Sequence, residues 1–169
     1  MINNNQLNQL EIDFIREDRE NVVPAKRVDI VSVKMVKEQS MLYKKRVVSS
    51  PHDAYELIKQ FLGDVDREYF VVVCLDTKNQ PTAINICHIG SLAASIVHPR
   101  EVLKPAILSN AAGFIVGHNH PSGNPDPSQE DIQVTKKLVE AGKVIGIELM
   151  DHIILGDEGF VSLKEQEYM

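Results

Sequence analysis

Two cysteines in 169 residues, no apolar run approaching a membrane span and no excess of basic charge set the first limits on this chain. Cys74 and Cys87 sit inside apolar, strand-like runs without the spacing of a cysteine metal site, which predicts reduced thiols in a cytoplasmic protein rather than a disulfide framework. The N-terminus lacks the basic-then-apolar layout of a signal peptide, so no membrane association is expected. Lysine and arginine number 18 against 24 acidic residues, a net charge of −6. That balance does not support DNA association, although a local basic patch remains compatible with it. No internal repeat or interdomain linker is found. What the chain does have is 43% hydrophobic residues, enough to bury a core in one domain.

Residues 1–25 are polar and charged, with a weak helical stripe of Leu7, Leu10 and Phe14. They read as a disordered tail, with a short docking helix as the alternative. A folded domain is expected over 26–169. It opens with Val28–Met35, rich in β-branched residues and predicted as a strand. Ser50-Pro51 starts a helix with Ala54, Leu57, Ile58 and Phe61 inward and a stop near Gly63. Tyr69–Leu75 reads as a doubly buried strand, and Asp76-Thr77-Lys78-Asn79 as the turn of a hairpin returning through Pro81–Ile89. A second helix is predicted over Pro99–Asn110, a strand from Gly113 to Val116, and a third helix from Ser128 to Ala141-Gly142. Val144–Leu149 and His152–Leu155 read as two further strands, with a turn at Gly156–Gly159 and a short helix from Leu163. Strands mixed with three helices, without strict βαβ alternation, predict an α/β (α+β) sandwich of helices around a mixed sheet.

The chemistry concentrates in Gly117-His118-Asn119-His120-Pro121-Ser122-Gly123-Asn124-Pro125-Asp126-Pro127-Ser128-Gln129-Glu130-Asp131. Two histidines one residue apart at a strand end share a face. The loop from His120 to Ser128 holds three prolines and a glycine and must turn sharply. A strand end, a tight loop and a helix start can then bring His118, His120 and Asp131 to one point. Two imidazoles and a carboxylate suit zinc (Zn2+), with a fourth position left for water. Ser128-Gln129-Glu130-Asp131 also fits a helix capping box that needs no metal, and the two readings are compatible.

The pattern His-x-His-Pro, six residues, Ser, two residues, Asp resembles the JAMM motif of the JAB/MPN metallohydrolases. The flanks, Glu68-Tyr69-Phe70, Asp76-Thr77-Lys78-Asn79, His98-Pro99-Arg100-Glu101, Asn110-Ala111-Ala112 and Leu149-Met150-Asp151-His152, resemble the RadC branch, over roughly Val28 to Leu163. The resemblance implies a cytidine-deaminase-like sandwich and a zinc-dependent hydrolase of peptide or isopeptide amides. It also implies Ser128 as donor to the developing oxyanion and a glutamate from an upstream strand start as proton shuttle. No glutamate lies between Tyr69 and Arg100, which leaves Glu68, Glu101 and Glu56. Glu68 immediately precedes a strand, as the resemblance requires. A solvated charge is its ordinary alternative.

Longer RadC proteins carry an N-terminal helix-hairpin-helix segment that about thirty polar residues cannot supply, which weakens transfer of a DNA-repair role. A metal-dependent nuclease and a metal-stabilised interaction module stand as alternatives to the peptidase. The substrate expected for the peptidase is a protein or peptide. His98 reads as a loop histidine bonding the backbone or as a support for the ligands. Asp151-His152 reads as a satisfied turn pair, with orientation of a ligand imidazole as the alternative. His52 and His88 read as structural, and Lys44-Lys45-Arg46 as a solvated face.

Overall fold

The computed structural model describes residues 26–90 and 97–169; the expected tail over 1–25 lies outside them. The chain from Lys34 to Met169 forms one compact unit. It contains, in chain order, α1 (Pro51–Leu62), β1 (Tyr69–Leu75), β2 (Pro81–Ile89), α2 (Pro99–Leu108), β3 (Gly113–Asn119), α3 (Gln129–Ile145), β4 (Glu148–Leu155) and β5 (Phe160–Ser162). The strands form one mixed sheet in the order β2-β1-β3-β4-β5. Only β3 and β4 run parallel, joined through α3; the other pairs are antiparallel. A mixed sheet with three helices is the predicted α+β architecture.

Period-two alternation divides the core between the faces of the sheet. Phe70, Val72 and Cys74 of β1, with Phe114 and Val116 of β3, pack under α2 and α3 through Val102, Leu103, Ala106 and Leu138. Val71, Val73 and Leu75 point the other way, with Ile115 and Ile153, against Ala54, Leu57 and Ile58 of α1. This two-sided burial explains why β1 reads as a continuous apolar run. Helix α1 begins where its sequence places it: Ser50 Oγ accepts from Asp53 N at 3.2 Å, Pro51 occupies the first turn, and Gly63 closes the helix at φ 60°. Cys74 is buried and Cys87 partly so. Burial pushes the Cys74 thiol up and the Cys87 thiol to about 12, so neither is a nucleophile at neutral pH.

Three local predictions are corrected. Residues 28–35 form no strand; Val28 and Ile30 are 82% and 102% exposed, and the segment joins no ladder among the described residues. β-Branched composition favours a pleated surface only when a neighbouring strand supplies hydrogen bonds and contacts. Val144 and Ile145 end α3 rather than start a strand, and a left-handed Gly146 terminates the helix. The two expected strands after it are one continuous β4, which places Asp151 and His152 inside the sheet rather than in a turn. Finally, Leu163 onward is a turn, and Phe160–Ser162 is a short strand against β4.

Candidate metal centre

Strand β3 ends on the motif. Gly117 is the residue that lets it reach there: a Cβ would stand 2.7 Å from Ile58 Cδ1 and 3.0 Å from the Ile153 carbonyl oxygen. His118 and His120 follow with side chains on one face, as period two requires. The chain then turns back through Gly123, at φ 79°, with Gly123 N donating to the His120 carbonyl at 2.9 Å. Asp157 N donates to the Gly123 carbonyl at 2.9 Å and pins the loop to the β4–β5 turn. Helix α3 therefore starts beside the end of β3, and Asp131 in its first turn faces the histidines.

The three predicted residues come together. One ligand atom from each of His118, His120 and Asp131 lies within 4.8 Å of the others. The two Nε2 atoms are 2.9 Å apart, Asp131 Oδ1 is 3.3 Å from His118 Nε2, and Asp131 Oδ2 is 3.5 Å from His120 Nε2. His118 and Asp131 are buried. His120 Nδ1 bonds the Asn124 carbonyl at 2.7 Å; a carbonyl only accepts, so that nitrogen carries the proton and Nε2 of the neutral ring is a lone pair. Asp131 Oδ1 is buried and makes no hydrogen bond. Burial pushes the Asp131 carboxyl up, but His118 and His120, when their rings are protonated, and Ser128 outweigh it and hold the group well below the usual carboxylate range. Asp131 in turn pushes the His120 imidazole up. Acceptor atoms aimed at one buried point, one of them an orphaned carboxylate oxygen, fit a cation bound by nitrogen and oxygen.

The capping reading of the same stretch also holds. Ser128 Oγ accepts from Asp131 N at 3.1 Å, and Ser128 N and Oγ both donate to Asp131 Oδ2, at 2.8 and 2.7 Å. Oδ2 closes the helix terminus and lies 3.5 Å from His120 Nε2, while Oδ1 faces His118 Nε2 at 3.3 Å.

Glu68 lies immediately before β1, partly buried, and its charge acts on His120. Its backbone is fixed by contacts that the motif pattern did not reveal. Asn119 Oδ1 accepts from Tyr69 N at 2.8 Å, and Asn119 Nδ2 donates to the Arg67 carbonyl at 2.9 Å. Gly90 N donates to the Glu68 carbonyl at 2.8 Å. The residue between the motif histidines thus clamps the chain on both sides of Glu68. Glu101, the rival, pairs with Lys104 at 2.7 Å and Arg100 at 3.4 Å on α2.

His98 caps α2, its Nδ1 accepting from Arg100 N at 3.2 Å, so it has the backbone role and not the ligand-supporting one. Asp151 and His152 part company because neighbours in a strand face opposite sides. Asp151 accepts from Ser162 Oγ at 2.9 and 2.8 Å, from His152 N at 2.7 Å and from Lys164 N at 3.2 Å, which ties β4 to the end of the chain; burial pushes its carboxyl up. His152 is fully buried and reaches His118, with 2.9 Å between His152 Nε2 and His118 Nδ1. Its other nitrogen lies 2.6 Å from Thr135 Oγ1. Thr135 was silent in the motif pattern, although its place four residues after Asp131 on one helix face was the available signal.

A family model described as RadC-like JAB domain matches residues 48–168. The chain is 52% identical over 125 residues to a UPF0758 protein of Methanosarcina mazei, an alignment covering 74% of this chain and 55% of the relative. It is 54% identical over 123 residues to a UPF0758 protein of Geobacillus sp. (strain WCH70), covering 73% and 54%. With the UPF0758 protein YsxA of Bacillus subtilis it shares 52% over 123 residues, covering 73% and 53%. The chain spans just over half the length of these relatives. With the mixed sheet and the three-residue cluster in place, the chain belongs to the RadC family of the JAB/MPN superfamily.

Proposed function

We propose that this domain is a zinc-dependent metallohydrolase of the JAMM type that cleaves peptide or isopeptide amide bonds. The observation that carries the reading is the convergence of His118, His120 and Asp131 on one buried point, with Asp131 Oδ1 lacking any other partner. His118 Nε2, His120 Nε2 and a carboxylate oxygen of Asp131 would hold the ion. A zinc ion so held lowers the pKa of a bound water toward about 7 and polarises a carbonyl oxygen.

The chain's own residues supply the rest. Glu68, held beside His120 by the Asn119 clamp, takes the proton of the attacking water on its carboxylate and returns it to the leaving amine nitrogen. Ser128, exposed at the start of α3, turns its hydroxyl from Asp131 Oδ2 to the developing oxyanion. Asp131 stays anchored during that turn, because Ser128 N continues to donate to Oδ2 at 2.8 Å. The net negative charge of the chain supports a peptide substrate over a phosphodiester backbone, whose binding draws on lysine and arginine.

The test offers the zinc-loaded protein a peptide and isopeptide library together with labelled DNA. Amide cleavage that disappears in His118→Ala is the expected result. Cleavage of DNA alone, lost in the same variant, would replace the peptidase with a nuclease, and zinc binding without turnover on either would leave an interaction module.

A further inference from the structure

We propose that Thr135 and His152 are positioning residues that fix the tautomer of His118, so that its Nε2 presents a lone pair to the metal site; the proposal rests on the reading of His118 as a ligand. The order of protons follows from one fixed point. Thr135 Oγ1 is 2.6 Å from the backbone carbonyl of Asp131, which accepts only, so the hydroxyl proton belongs there. The same oxygen lies 2.6 Å from His152 Nδ1 and must accept from it, which places the His152 proton on Nδ1. His152 is fully buried, its ring contacts among the described residues are Phe70, His118 and Thr135, and burial disfavours the charged form of the ring over the pull of the more distant Asp131 charge. Its Nε2 is then an acceptor. His118 Nδ1, 2.9 Å away, donates to it, and His118 Nε2 is left unprotonated on the side of Asp131 and His120.

The opposite order is the loser. A proton on His152 Nε2 would place the His118 proton on Nε2, against the site. It would also require Thr135 to donate to His152, leaving two bare oxygens 2.6 Å apart at Thr135 and the Asp131 carbonyl. Stacking of Phe70 on the His118 ring, with centroids 5.8 Å apart and planes 13° apart, holds the imidazole in the required plane. The relay starts on the backbone of Asp131 and ends on the ligand opposite its carboxylate, so helix α3 sets both the carboxylate and the imidazole it faces.

Long-range proton–nitrogen NMR of the metal-free full chain reads the tautomers directly, and a purely structural contact would not fix them. His118 and His152 are each expected to carry the proton on Nδ1. His118 protonated on Nε2 would overturn the relay. Thr135→Val should mix the His118 tautomers and weaken zinc binding roughly tenfold, in the range for loss of an outer partner, while Thr135→Ser restores both. Should Thr135→Val fail to fold, His152→Gln decides: its amide oxygen can accept from His118 Nδ1, and the His118 tautomer should stay as in the wild type. Zinc affinity and tautomer both unchanged in Thr135→Val would refute the proposal. Failure of the wild type to bind zinc would count against the site as a metal centre, and the metal-free tautomers would still decide the relay.

Discussion

Replacing Asn119 by alanine separates the site's scaffold from its ligands. The amide oxygen and nitrogen of Asn119 hold Tyr69 N at 2.8 Å and the Arg67 carbonyl at 2.9 Å. Two hydrogen bonds of ordinary net worth contribute about 1 kcal/mol each, and stranding the partly buried Tyr69 N–H adds roughly 1 kcal/mol more. Solvent reaching the exposed Arg67 carbonyl returns part of this, so the expected loss is about 2 kcal/mol. In a chain of this size that lowers the melting temperature by roughly 5 °C. Urea denaturation followed by circular dichroism measures it. Zinc content should stay at the wild-type level, since His118, His120 and Asp131 keep their elements, whereas amide hydrolysis should fall because Glu68 loses its anchors on both sides. The reasoning fails if stability stays within about 0.5 kcal/mol of wild type, the ordinary range for an inconsequential surface change. It fails equally if zinc is lost while turnover per bound zinc is unchanged.

Further tests follow from the same contacts. Glu68→Gln should keep zinc and lose about a hundredfold or more in turnover, as removal of an acid–base group does; full activity would move the shuttle to Glu101. Asp131→Glu retains the N3 capping chemistry but lengthens the arm, so thermal stability of the metal-free protein should hold while zinc content by elemental analysis drops; normal occupancy would reduce Asp131 to a cap. Hydrogen bonds from Lys45 at 2.6 Å and Ser49 N at 2.9 Å hold the Asp53 carboxyl at about 2. A folded pKa below the unfolded value of about 4 means stabilisation present above pH 4 and lost as pH falls toward 2, about 1–2 kcal/mol after discounting the half-exposed Lys45. Asp53→Asn should therefore cost that amount at neutral pH in chemical denaturation and flatten the acid limb; an unchanged acid limb would contradict the assignment.

The parts of the molecule legible from sequence are those specified within a few residues. Ser50-Pro51 and Gly63 bracket α1 because capping chemistry is local, and Tyr69–Leu75 shows its two-sided burial in seven consecutive apolar residues. The candidate ligand cluster was legible for the same reason, since His118, His120 and Asp131 are separated only by a turn that proline and glycine announce. The supports were not. His152 reaches His118 across 34 positions and Asn119 reaches Arg67 across 52, and no periodicity encodes a pairing set by strand order. The errors have the same source. Residues 28–35 carry strand propensity without a partner strand among the described residues, and the turn expected at Asp151-His152 between two strands is instead a polar pair inside one continuous strand. Those polar groups are tolerated inside β4 because Ser162 and Thr135 satisfy them from opposite faces.

The balance between stability and purpose in this domain is decided at Asp131. An ionised carboxylate inside a protein costs several kcal/mol unless it is paired, and the cap on α3 satisfies only Oδ2. An alanine or serine at that position would spare the domain a buried charge, and Ser128 would still cap the helix through its own hydroxyl. Keeping Oδ1 without a hydrogen bond, 3.3 Å from the His118 Nε2 edge, is the arrangement that a folding argument does not justify. Positions that break a local stability rule are the ones at which a functional reason is sought. The parallel β3–α3–β4 crossover makes the violation affordable. It brings a helix N-terminus, whose dipole favours a negative charge, to the strand end that carries the histidines. It also lets a β4 histidine close behind them.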